Sequence, residues 1–160
     1  MFTGCKSQSN EEVYVSDLYN IHEEYQDAWG NVGKYDISLP RIHCDSKSAK
    51  KLNKTIKNEY KDLIHTLNEA KEEKYTLPDT SISYKEYWNK KMVSLVIKEE
   101  VEADDPRYKV YHFDFKTKKR VSNKKLYKKY KINQKDTKAW AAQAFDQEYA
   151  NEYYDNVKEL

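Results

Sequence analysis

Ala49-Lys50-Lys51-Leu52-Asn53-Lys54-Thr55-Ile56-Lys57-Asn58-Glu59-Tyr60-Lys61-Asp62-Leu63, with its continuation to Ala70, decides the fold class. Ala49, Leu52, Ile56, Tyr60, Leu63, Leu67 and Ala70 recur at spacings of three or four, the period of one helix face. Lys50, Lys51, Lys54, Lys57, Glu59, Lys61 and Asp62 fall largely off that stripe, where water can hold their charges. Asp45 or Ser46 is placed to cap the helix by accepting free backbone N–H groups. The spacing predicts one helix of about 26 residues.

Upstream, Tyr35, Ile37 and Leu39 alternate with Asp36 and Ser38, as a half-buried strand does. Pro40 is expected to end regular pairing or to mark an edge. Residues 11–29 read two ways: Val13 and Val15 alternate, favouring strand, whereas Leu18, Ile21 and Tyr25 are spaced as on a helix. Gly30-Asn31-Val32-Gly33 then breaks the chain.

Downstream, Pro78 and Asp79 mark a loop. Ile82, Tyr84 and Tyr87-Trp88 lead to the turn Asn89-Lys90-Lys91. Val93, Leu95 and Ile97 alternate, Asp104-Asp105-Pro106 turns, and Tyr108, Val110, Tyr111, Phe113 and Phe115 form another strand. Thr117-Lys118-Lys119 turns again, Val121 starts a short strand, and Ser122 or Asn123 caps a short helix through Leu126, Tyr127 and Tyr130. Thr137 is placed to cap a last helix striped by Trp140, Ala141, Ala144, Phe145, Tyr149 and Tyr153. The expected architecture is α+β: a long helix packed on an antiparallel β-meander, with a C-terminal helix. Residues 1–12 read as a flexible tether and 13–160 as a single domain.

Composition bounds the chemistry. Of 160 residues, 38% are hydrophobic and 35% charged, so the core must be narrow; 15 tyrosines supply much of its bulk. Three Gly and three Pro argue against a disordered chain. No run approaches the roughly 18 apolar residues of a membrane span. No glycine-rich phosphate loop, nucleophile elbow or zinc-protease helix occurs, and His22, His43, His65 and His112 form no set with ligand spacing. The residues therefore point to a protein with no catalytic site, no metal and no cofactor. Among the aromatic residues, Tyr84, Tyr87, Trp88, Tyr108 and Tyr111 are the candidate contacts for a ligand, since an apolar ring with a polar tip suits wet binding surfaces.

Charge is segmented. Residues 1–40 carry seven acids against two lysines, and residues 116–138 carry eleven bases against Asp136. Lys118, Lys119, Arg120, Lys124, Lys125, Lys128 and Lys129 form a candidate anion patch, to which counterion release would draw any polyanion. Lysine outnumbers arginine there, which disfavours base readout and hence a nucleic-acid partner.

Two cysteines, Cys5 and Cys44, are too few for a disulfide framework. Phe2-Thr3-Gly4-Cys5, followed by the polar Lys6 to Asn10, looks like the tail of a bacterial lipobox. Cys5 is thus the candidate lipidation site, with the signal segment not among these residues.

Lys34-Tyr35-Asp36-Ile37-Ser38-Leu39-Pro40-Arg41-Ile42, followed by Asp45-Ser46 and Ala49 to Ile56, resembles the opening of the RsiV-like ectodomain family, where a short strand runs into a helix. Met92 to Ile97 is similar to that family's central strand, and Tyr111 to Val121 to its next strand and turn. The resemblance spans residues 34–131. It implies a domain outside the cytoplasmic membrane, of the kind found in lipoproteins, in a lysozyme-sensing anti-sigma factor and beside a peptidoglycan deacetylase. The expected function is a non-catalytic binding or sensing domain for a secreted or cell-wall protein or glycan, lysozyme-like proteins included, with membrane attachment only through Cys5. The alternative expectation is an electrostatic module binding a wall polymer, anionic lipid or nucleic acid through residues 116–131.

Overall fold

The structure, a computed structural model, describes residues 13–131. The tether, Cys5 and the expected helix after Thr137 lie outside the described residues. The chain falls into two compact units, Met1–Val121 and Ser122–Leu160. In the first unit, β1 (Tyr14–Gln26), β2 (Val32–His43), α1 (Lys47–Glu59), α2 (Lys61–Glu73), β3 (Thr80–Trp88), β4 (Met92–Val101), β5 (Arg107–Asp114) and β6 (Lys119–Val121) follow in that order. The second unit contributes α3 (Asn123–Tyr130) to the described residues.

The strands form one six-stranded sheet in sequence order. All neighbours pair antiparallel except β2 and β3, which run parallel over three residue pairs, Tyr35↔Thr80, Asp36↔Ser81 and Ile37↔Ile82. Parallel neighbours need a crossover, and α1–α2 supplies it.

This corrects the expected architecture in two ways. The sheet is mixed, not an antiparallel meander, and the single long helix is two helices of 13 residues each. The break falls on Tyr60, with φ −104° and ψ 3°. The apolar stripe passes straight through it. Tyr60 is 2% exposed, and the Lys109 ammonium lies 4.6 Å from its ring centroid.

Residues 14–26 take the strand alternative. Ile21 sits opposite Ile37 and Tyr19 opposite Leu39, so their apolar side chains share the face on which the helices pack. Pro40 does not end β2. It lies across from the irregularity between Asp17 and Tyr19, where Leu18 is the extra residue. A bulge tolerates the missing N–H of proline.

The core lies between this face and the helices. Ile37, Leu39, Ile82, Val93, Leu95, Ile97 and Phe113 from the strands meet Leu52 and Ile56 from α1, each 1% exposed or less. Ser46 caps α1 as expected, its Oγ accepting from Ala49 N at 3.0 Å. Asn53 ties the helix to the end of β2: Oδ1 accepts from Ile42 N at 2.9 Å, and Nδ2 donates to Ile42 O at 2.8 Å. Among the described residues no helix is long and apolar enough to cross a membrane.

Candidate functional site

The pleat sends alternate residues of each strand to opposite faces. On β3, β4 and β5 the helix side carries Tyr84, Trp88, Val93, Leu95, Ile97, Tyr111 and Phe113. The other side carries three cross-strand rows: Tyr87–Ser94–His112, Lys85–Val96–Val110 and Ser83–Lys98–Tyr108. Tyr87 is 56% and Tyr108 43% exposed. They sit on the two strands flanking β4, at opposite corners of a field whose middle is Val96 and Val110. Ser94 Oγ and His112 Nδ1 are 2.8 Å apart. Burial holds the His112 pKa below the usual histidine range, so the ring is neutral at pH 7. The result is a mildly apolar surface with hydroxyl and imidazole groups at its margin and a Lys98–Glu100 ion pair at one end. Such a surface can bind, through ring contact and single hydrogen bonds.

The structure divides the five expected aromatic contacts. Tyr87 and Tyr108 share the face just described. Tyr111 is 7% exposed on the helix side. Its hydroxyl donates to Glu59, and burial, then that carboxylate, raises its pKa. Tyr84 is half-buried on the same side and donates to Asp17 Oδ1 at 2.7 Å, with its pKa raised by burial first. Trp88 also has helix-side register but lies at the end of β3, 46% exposed, its ring tilted on Phe115 and Nε1 donating to Glu86. The reading of Tyr84 and Tyr111 as ligand contacts is therefore corrected: packing and helix-side hydrogen bonds use them.

Lys109 explains why Tyr111 is committed. Its ammonium lies 3.3 Å from Glu59 Oε1 and 3.2 Å from Glu99 Oε2, bridging α1 to β4. Burial first, then Glu99 and Glu59, raises the Tyr60 pKa beside it. This network ties the end of α1 to β4 and β5.

The basic residues fall in both units. Lys118 and Lys119 flank the β5–β6 junction, where Asp114 Oδ1 accepts from Lys116 N and Thr117 N at 2.9 and 2.8 Å. The bond from Thr117, ahead of the others, holds the Asp114 carboxyl below the usual range. Lys118 adopts φ 52° at this turn. Arg120 packs its guanidinium 5.3 Å from the Tyr111 ring. On α3, Lys124 and Lys128, and Lys125 and Lys129, are each four residues apart, so one side of the helix is lined with exposed lysines. Ser122 caps it, accepting from Lys125 N at 3.3 Å.

The histidines serve local contacts. His43 stacks on Tyr14 at 4.2 Å and meets Ser16 Oγ at 2.7 Å. His22 pairs with Asp36, and His65 with Glu69. Among the described residues no three of His, Cys, Asp and Glu converge to hold a metal.

The β1–β2 turn was legible only as a break. Asp27, 8% exposed, organises it: Oδ1 accepts from Trp29 N and Asn31 N at 2.9 Å each, and Oδ2 from Asn31 Nδ2 at 2.9 Å and Thr76 Oγ1 at 3.3 Å. Burial opposes ionisation, but these bonds outweigh it and hold the carboxyl below the usual range. The built turn presents Trp29, 79% exposed. An aspartate three residues ahead of a Gly-Asn pair is the sequence signal for such a turn. No protein-family model matches the chain, and no curated protein is significantly similar to it.

Proposed function

We propose that the protein is a non-catalytic, extracytoplasmic binding or sensing module that engages a secreted or cell-wall protein or glycan through the β3–β4–β5 face away from the helices. The observation that carries this reading is the exposure of Tyr87 and Tyr108 on one sheet face around Val96 and Val110. Tyrosine is favoured where a ring can be covered while its hydroxyl stays wet. The lipobox-like Phe2 to Cys5 and the resemblance of residues 34–131 to RsiV-like ectodomains support the compartment, with a lipid at Cys5 as the membrane anchor. Calorimetric titration with lysozyme, at physiological and at several-fold higher salt, tests it. Salt-resistant binding that weakens about tenfold or more in Tyr87→Ala and Tyr108→Ala supports the reading. Absence of binding removes lysozyme-like proteins as ligands and makes anionic wall polymers the next to titrate.

A second reading rests on the lysine-lined side of α3. A module that binds an anionic wall polymer there has affinity that falls steeply with salt. The same affinity at low and physiological salt excludes it.

A further inference from the structure

The two ends of the sheet carry opposite charge. β2 runs parallel to β3, so the close of β2 at His43 and the close of β3 at Trp88 lie at one end, together with the β3–β4 turn, the β5–β6 turn and the first turn of α1. Hydrogen bonds tie these segments to one another: Phe115 N donates to Lys91 O at 3.0 Å, and Arg120 N donates to Ser48 Oγ at 2.7 Å. Lys47, Lys90, Lys91, Lys116, Lys118 and Lys119 are exposed there. They come from three separate stretches of sequence, and the fold gathers them. Among the described residues the nearest acids are engaged. Asp45 pairs with Lys50 at 2.9 Å, Glu86 accepts from Trp88 Nε1, and Asp114 accepts the Lys116 and Thr117 amides.

The other end of the sheet lies about 30 Å away along β4. Asp36, Asp79, Glu100, Glu102 and Asp104 line a cavity of about 420 Å³ there, with Lys34 the base among them. Two aromatic residues stand at the basic end instead. Tyr14 opens β1, 51% exposed and stacked on His43, and Trp88 closes β3, 46% exposed against Phe115. Rings of this kind favour the headgroup level of a bilayer. β1 starts at this end as well. Cys5, nine residues before Tyr14, is joined to it by a span of at most about 30 Å.

We propose that the basic end of the sheet rests on an anionic bilayer, with the acidic end turned away from it. The lysines face headgroup phosphates as point charges, and Tyr14 and Trp88 sit at headgroup level. A soluble polyanion would be met by the lysines alone; the two rings and the start of β1 favour a membrane. The part played by Cys5 rests on the anchor proposed above, whereas the charge and the rings do not. The segregated charge also sets the orientation, because an anionic surface attracts one end and repels the other. The β1–β2 turn that carries Trp29 then points away from the membrane.

Sedimentation of the full chain, carrying no lipid, with phosphatidylcholine vesicles that contain or lack phosphatidylglycerol tests the proposal. Binding is expected only with phosphatidylglycerol and weakens as salt rises. Lys90→Glu with Lys91→Glu weakens it about tenfold or more, as does Lys116→Glu with Lys119→Glu, each with an unchanged urea midpoint. Lys124→Glu with Lys128→Glu on α3 weakens it less than about threefold. In isotope-labelled protein bound to the same lipids, a spin-labelled headgroup broadens the Trp88 side-chain N–H and the Lys90, Lys91 and Lys118 amides, and spares those of Gly30 and Asp104. No binding to phosphatidylglycerol vesicles, equal binding to neutral ones, indifference to both pairs of turn substitutions, or broadening confined to α3 or to the acidic end each overturns it. So does affinity of the turn lysines for soluble polyglycerol phosphate without broadening of Trp88 by the lipid. Because the chain used carries no lipid, this outcome is independent of the Cys5 anchor and of the Tyr87 and Tyr108 titrations.

Discussion

Tyr108 and Tyr111 stand three residues apart on β5 and meet different surroundings. Tyr111 points at the helices, 7% exposed and bonded to Glu59; Tyr108 points away from them, 43% exposed. The same split separates Tyr84 from Tyr87 on β3. Neighbouring aromatic residues on a strand are thus not one surface. On the helix side Tyr84 and Tyr111 are held by packing and by hydrogen bonds to Asp17 and Glu59, while on the other side the rings of Tyr87 and Tyr108 stay largely exposed.

The largest effect expected from this difference is on the core. Phe113→Ala costs about 3–5 kcal/mol, whereas Val110→Ala, three positions back on the same strand and on the other face, costs about 1 kcal/mol or less. Urea unfolding of both variants measures the contrast, and equal losses would mean that both faces are packed alike. Next comes the hydroxyl. Tyr111→Phe removes a bond to a carboxylate and should cost about 1.5 kcal/mol, while Tyr87→Phe, 56% exposed on the other face, stays within about 0.5 kcal/mol of the parent protein.

A smaller effect is read in pH. His112 is held neutral, with its pKa below the unfolded value of about 6.5. As pH falls through that value the unfolded chain takes up the proton before the folded one, so stability declines and levels off once pH is below the folded pKa. His112→Gln should flatten this part of the stability profile; an unchanged slope would place its origin elsewhere. The smallest effect is Tyr87→Ala, expected to leave the urea midpoint almost unmoved. A large shift there would turn the proposed binding face into structure.

The elements from β3 to α3 were legible because each is short, alternates or is capped, and is bounded by Asn89, Pro106 or Ser122. Three features were not. A helical stripe reports which face is buried, not whether the backbone stays straight, and no Gly or Pro marks the break at Tyr60. Parallel pairing of β2 with β3 joins segments far apart in the sequence, Tyr35 with Thr80, and local pattern carries no sign of it. Residues 13–25 hold both periods at once, and partners across the strand settled them. Of the candidate site, residue type found the tyrosines, but only the register told which side each occupies. Trp29 was missed because its exposure comes from Asp27 and Thr76, the latter 49 residues away from the aspartate it bonds.

The short parallel seam between β2 and β3 has a consequence for how the chain reaches this shape. Every other strand pairing joins sequence neighbours through a turn, so the β1–β2 hairpin and the β3–β6 ribbon can each assemble early and locally. The seam forms only when α1 and α2 have brought distant segments together, so it carries a loop-closure entropy that the turn-linked pairings do not. Three residue pairs are a narrow reward for that closure. In its topology the sheet is two locally paired halves joined at the β2–β3 seam, with Leu52 and Ile56 of α1 in the core they share.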